Sequence, residues 1–201
     1  MVVERIFEHA RARPHHPAVV WNGHAIAYLH FAHGIAMLRN AWQPLAPPPG
    51  SVVVVVIHSL LESWTSVLAL QSLGLITVCV RSLQEAEPLS LGDSPAVVIC
   101  SRKAAESRPR LAAWPQAHEL QLPADLYHRP VATAVPTLET VSRQGGHILY
   151  TSGTTGSFKK LLQDSARDGL RCEQRVAAEG LTTHVVWNIT YFGMWTSIGY
   201  G

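Results

Sequence analysis

Apolar positions along the chain set its elements. Val2, Val3, Ile6, Phe7 and Ala10 recur at helical spacing, so residues 2–13 are predicted as an amphipathic helix that Pro14 stops. Ala18–Trp21 and Ala25–Tyr28 are predicted strands on either side of Asn22-Gly23, the strongest short hairpin turn signal. Phe31, Ile35, Leu38 and Trp42 predict a second helix, and the proline-rich stretch from Gln43 to Gly50 predicts a stiff loop. Ser51–Ile57 holds five valines and an isoleucine without polar alternation, the pattern of a strand buried on both faces. Leu60, Leu61, Trp64, Val67 and Leu68 predict the next helix, ending near Gly74, and Leu75–Val80 the next strand.

Further on, Pro95–Cys100, Ala117–Leu122 and His147–Tyr150 read as strands, and Lys103–Ala113 as a helix weakened by Pro109. Pro123 to Gly146 lacks a period and is expected to be connection. Ser165–Glu179 is a helix candidate with a poorly apolar face, and His184–Ile189 a strand candidate. The alternation of strands and helices predicts an α/β layered domain with a mainly parallel sheet flanked by helices.

The stretch with the clearest chemistry runs from Tyr150 to Lys159. Thr151 to Ser157 are all Ser, Thr or Gly, and Phe158 and two lysines follow. Glycines at 153 and 156 let backbone N–H groups approach an anion, hydroxyls add donors, and Lys159 adds a positive charge. An ordinary strand-connecting turn has a similar composition. Two residues, not four, separate Gly153 from Gly156, so this is not a Walker A loop. Ser152 has no glycine two positions before it, which excludes a nucleophile elbow.

The composition narrows the function classes. An apolar fraction of 47% and a charged fraction of 15% describe a core-building chain. A net charge of +2 gives no electrostatic case for nucleic acid, and the basic group Arg102, Lys103, Arg108 and Arg110 reads as a solvated face. Cys79, Cys100 and Cys172 are far apart and odd in number, so they read as reduced thiols. With the charged N-terminus, this leads to the expectation of a cytoplasmic protein. The apolar run from Leu60 to Val80 has the length of a membrane span, but Glu62, Gln71 and Gly74 favour a helix followed by a strand. His30 and His33 lack a third ligand, and His58 and His147 are possible pocket residues only. Asp164 and Asp168 are candidate magnesium helpers, with solvated helix charge as the simpler account.

Tyr-Thr-Ser-Gly-Thr-Thr-Gly at 150–156, with Lys159 in register, resembles the phosphate-loop signature of the adenylate-forming enzymes, which include acyl-CoA synthetases, luciferases and peptide-synthetase adenylation domains. Phe158 and Lys160 replace the family's usual Pro and Gly around the lysine. The order of upstream features, through the Pro-Gly entry to the valine strand, extends the resemblance over residues 1–162. It implies an N-terminal α/β subdomain over 1–162 and the start of a following portion over 163–201, with a C-terminal portion of the same enzyme expected beyond.

The resemblance also implies an activity. A carboxylic acid attacks ATP, pyrophosphate leaves, and the acyl group passes to CoA or a carrier thiol. ATP and Mg²⁺ are the implied cofactors, with Thr151, Ser152, Gly153, Thr154, Thr155, Gly156 and Lys159 cradling the phosphates, and Thr154 and Lys159 acting catalytically. The 201-residue chain alone is expected to be inactive. Two alternatives stay open: a non-catalytic domain that binds a nucleotide or a partner, and an unrelated nucleotide-binding α/β domain.

Overall fold

A computed structural model describes residues 2–82, 86, 97–100, 118–123, 126–139, 145–152 and 158–179. The predicted helix Lys103–Ala113, the strand His184–Ile189 and the basic group at 102–110 lie outside these residues.

Helix α1 (Val2–Ala12) buries Val3, Ile6, Phe7 and Ala10, the stripe that its spacing predicts. The hairpin β1 (Pro17–Trp21) and β2 (His24–Ala27) turns at Asn22 and Gly23, which both have positive φ. That pair of left-handed residues matches the twist of the strands, and glycine adopts it without strain. Tyr28 was expected in the second strand. It opens helix α2 (Tyr28–Trp42) instead, with its N–H on the His16 carbonyl at 3.0 Å. Gln43–Leu45, at the start of the predicted stiff loop, forms one 3-10 turn.

The central sheet contains β3 (Val52–Val56), β4 (Ile76–Cys79), β5 (Val97–Cys100), β6 (His118–Gln121), β7 (Gly146–Ser152) and β8 (Phe158–Asp164), in the order β6-β5-β3-β4-β7-β8. Every neighbouring pair is parallel except β7–β8. The valine strand lies between β5 and β4. Val53 and Val55 join the core that α1, α2 and helix α3 (Leu60–Ser72) build, while Val54 is fully buried on the opposite face. Burial on both faces is the reason the strand shows no polar alternation.

Helix α3 begins at Ser59, whose hydroxyl accepts from the Glu62 N–H. The apolar run that mimicked a membrane span divides here into α3 and β4. No helix among the described residues is long and apolar enough to cross a membrane.

The segment from Gln121 to Glu139 returns from β6, at one edge of the sheet, toward β7 near the other. It runs against α2 and α3 and is tied to them by polar side chains. The Trp42 indole N–H donates to the Gln121 carbonyl at 3.3 Å, His33 Nε2 lies 3.0 Å from the Ala134 carbonyl, and buried Arg39 donates to the Glu139 carbonyl at 3.2 Å. The Tyr127 hydroxyl bonds Thr65, and burial pushes the phenol's pKa up. The His30 ring packs edge-on to Tyr127, with centroids 5.6 Å apart. His30 thus packs on the connection and His33 reaches its backbone. Helix α4 (Ser165–Glu179) follows β8, and its Glu173 meets Arg5 of α1 in an exposed ion pair at 2.7 Å.

Candidate functional site

The two ends of the signature stretch lie on a pair of antiparallel strands. Strand β7 carries Tyr150, Thr151 and Ser152, and β8 begins at Phe158. Ser152 pairs with Phe158 and Thr151 with Lys159. Residues 153–157, which include Gly153, Thr154, Thr155 and Gly156, lie outside the described residues. Register thus brings the two ends of the motif together: Lys159 faces Thr151 across the hairpin. Lys159 and Lys160 are both exposed, and as neighbours on a strand they point to opposite faces. Sequence periodicity did not reveal β8, because Lys-Lys-Leu-Leu has no alternation.

The hairpin hangs on a short attachment. Strand β7 pairs with β4 through two residue pairs, Ile76 with Gly146 and Thr77 with His147. Beyond His147 its ladder partner is β8, the last strand of the sheet. Gly145 and Gly146 permit the approach of β7 to the sheet. A Cβ on Gly145 would stand 2.2 Å from the Leu75 carbonyl oxygen, and one on Gly146 would stand 2.6 Å from the Gln163 carbonyl oxygen. A Gly-Gly pair before a strand is a sequence signal of such close approach.

Polar groups converge on this attachment. Gln71 Nε2 donates to the Gly146 carbonyl at 3.4 Å, and Thr77 Oγ1 lies 3.2 Å from the same oxygen. Thr77 Oγ1 also lies 2.8 Å from His147 Nδ1. A hydroxyl has one proton. Both contacts are satisfied when His147 Nδ1–H donates to Thr77 and Thr77 donates to Gly146, which assigns a proton to Nδ1. Burial pushes the pKa of this imidazole well below 6.5. The sequence offered His147 only as a possible pocket residue. At 2% exposure it is a buried structural group near the start of β7.

A pH dependence follows from that burial. Folded His147 stays neutral, while the unfolded chain takes up a proton below the ordinary value of 6.5. Stability is therefore complete above pH 6.5 and is lost as the pH falls through the window beneath it, at up to about 1.4 kcal/mol per pH unit. Burial pushes His9 and His30 in the same direction, with less force. Urea midpoints measured from pH 7.5 down to pH 5 are expected to fall, and His147→Asn is expected to flatten the trend.

Asp164, a candidate magnesium helper in the sequence, has a structural role here. Its Oδ1 accepts the N–H groups of Ala166 at 2.9 Å and Arg167 at 3.2 Å, which makes it the cap of α4. No group of three or more His, Cys, Asp or Glu among the described residues is placed to hold a metal. His58 is exposed just beyond β3, at the end of the sheet where the parallel strands finish. Cys79 is buried, with its Sγ 3.9 Å from the Ser63 hydroxyl.

No protein-family model and no curated protein matches the chain. Solved structures do. The N-terminal domain of FACL13 from Mycobacterium tuberculosis, solved with an inhibitor, superposes with a TM-score of 0.72 at 16% identity, covering 99% of this chain and 54% of that one. The N-terminal subdomain of Klebsiella oxytoca NpsA, in complex with 3-hydroxybenzoyl-AMSN, gives 0.69 at 18% identity over 98% of this chain and 50% of that one. The anthranilate CoA ligase AuaEII, in complex with anthranoyl-AMP, gives 0.68 at 18% identity over 86% of this chain and 35% of that one. The chain thus spans about half, or less, of the length of the structures it matches.

Proposed function

We propose that this chain, which has the fold of the N-terminal portion of the adenylate-forming enzymes, supplies the phosphate-gripping part of a carboxylate-activating ligase. The single observation that carries the reading is the motif Tyr150–Gly156 with Lys159, in a chain of that fold whose strands β7 and β8 pair Thr151 with Lys159. Neighbours of the same fold hold acyl-adenylates, anthranoyl-AMP in one and OSB-AMP in another.

In the reaction proposed, a carboxylate oxygen attacks the α-phosphorus of ATP and pyrophosphate leaves. Negative charge grows on the leaving group, so donors already fixed around it lower the barrier. Thr151, Ser152, Thr154 and Thr155 supply hydroxyl donors. Gly153 and Gly156 keep Cβ atoms away from the phosphates, and Lys159 supplies the cation. Lys159 and Thr154 act on the charge that develops in the transition state.

Magnesium fits as a companion of the nucleotide, since it commonly binds through substrate phosphates and few protein carboxylates. Asp164 already caps a helix through its Oδ1. Residues 1–162 form the subdomain that ends in the loop, and residues 163–201 begin the portion after it. The acyl group then passes to CoA or to a carrier thiol.

The reading is tested by titrating residues 1–201 with Mg·ATP and with pyrophosphate in a calorimeter. Binding is expected, with no carboxylate-dependent ATP–pyrophosphate exchange by these residues alone. Lys159→Ala removes a charge-assisted contact, each worth about 1.5–3 kcal/mol, so affinity is expected to fall by roughly ten- to a hundredfold. Unchanged affinity would remove the loop from the mechanism. Tight binding by a longer protein that never makes acyl-adenylate would favour the non-catalytic reading, which Phe158 and Lys160 at the loop exit already support.

A further inference from the structure

We infer that Thr77 and His147 form a register lock, positioning residues that fix where the loop-bearing hairpin stands on the sheet. The role in phosphate binding rests on the proposed function; the lock itself does not.

The need for a lock follows from the topology. Strand β7 is joined to β4 by two residue pairs, and its continuation is laddered to the edge strand β8. Leu161 and Leu162 of β8 are 62% and 53% exposed, so packing on β8 does little to fix the hairpin. Two pairs of parallel backbone bonds specify register weakly, and a slip by two residues keeps every side chain on its own face. Such a slip would carry Lys159 and the motif about 7 Å along the strand. A phosphate grip tolerates misplacement of only a fraction of an ångström.

The burial of the pair makes its contact decisive. Thr77 is fully buried and His147 nearly so. Any other register leaves an imidazole and a hydroxyl without each other inside the sheet, at the cost of an unmet buried donor. The lock is extended downward. Gln71 of α3 and Thr77 share the Gly146 carbonyl, the Gly146 N–H donates to the Leu75 carbonyl at 3.2 Å, and the Ser165 N–H donates to the Gly145 carbonyl at 3.1 Å. The last bond ties the start of α4, just past the far end of the hairpin, to the same point.

The test uses residues 1–201 with Thr77→Val, Thr77→Ser, His147→Leu and His147→Asn. Amide hydrogen exchange is read in β7 and β8 against β3 and α2, and Mg·ATP affinity is read beside it. Thr77→Val and His147→Leu are expected to speed exchange in β7 and β8 at least tenfold while β3 and α2 keep their protection. Thr77→Ser and His147→Asn, which retain a donor or acceptor at the same place, are expected to restore it. ATP affinity is expected to follow the same split, falling at least tenfold in the first two variants. The isosteric Thr77→Val decides the matter if His147→Leu does not fold. Unchanged exchange in the hairpin overturns the lock, as does a loss of protection spread evenly over β3, α2 and the hairpin. If the unaltered chain binds no ATP, the proposed function fails, and the exchange pattern alone decides the lock.

Discussion

Gly145→Ala is expected to detach the loop-bearing hairpin from the sheet and to cost about 3 kcal/mol or more. The added Cβ would stand 2.2 Å from the Leu75 carbonyl oxygen and 2.8 Å from the Gln71 Cα, and both are backbone atoms that no rotamer change can move. Relief requires β7 to shift away from β4, which breaks the two ladder pairs and strains the side-chain bonds around them. The comparison is Gly23→Ala at the β1–β2 turn. There φ is +78° but nothing lies within 4 Å of the new Cβ, so the cost is backbone strain alone, about 1 kcal/mol. Urea unfolding of the two variants separates the causes. Equal losses would mean that the approach of β7 to Leu75 is looser than described.

Trp42→Ala is expected to cost about 3–5 kcal/mol, the usual range for deleting a buried aromatic. The indole is 3% exposed, in the core shared by α1, α2 and β3, and its N–H holds the Gln121 carbonyl where the chain leaves β6. The substitution therefore opens a cavity and leaves a carbonyl without its donor. For a chain of this length the melting temperature is expected to drop by roughly 6–20 °C. Trp42→Phe keeps most of the packing and loses only the bond, so its loss is expected to be about 1–2 kcal/mol. A Trp42→Ala loss no larger than that of Trp42→Phe would show that the cavity collapses.

These positions differ in how visible they are in the sequence. Trp42 is legible because it ends the helical series Phe31, Ile35, Leu38, Trp42, and a residue in phase with a buried stripe is buried. Gly145 has no periodic context, and its constraint comes from Leu75 and Gln71, some seventy residues away. The valine strand shows its double burial in its composition, whereas Phe158–Asp164 conceals a strand because an exposed edge strand need not alternate. His147 looked like a pocket residue from its place before the motif. Its partner Thr77 is seventy positions away, so the sequence held no sign of the pair.

By itself the sequence determined the α/β class, the helices and strands with strong periods, and the Ser/Thr/Gly stretch that resembles a phosphate-loop signature. Those features are written in neighbouring residues, through side-chain period, turn chemistry and the small residues that an anion site needs. The tertiary structure alone decided that β7 and β8 pair antiparallel at the sheet edge, that β7 meets β4 through two ladder pairs, that Asp164 caps a helix and that His147 meets Thr77. Each of these depends on which distant segment lies alongside, and that choice is made by packing over the whole chain, which no local pattern records.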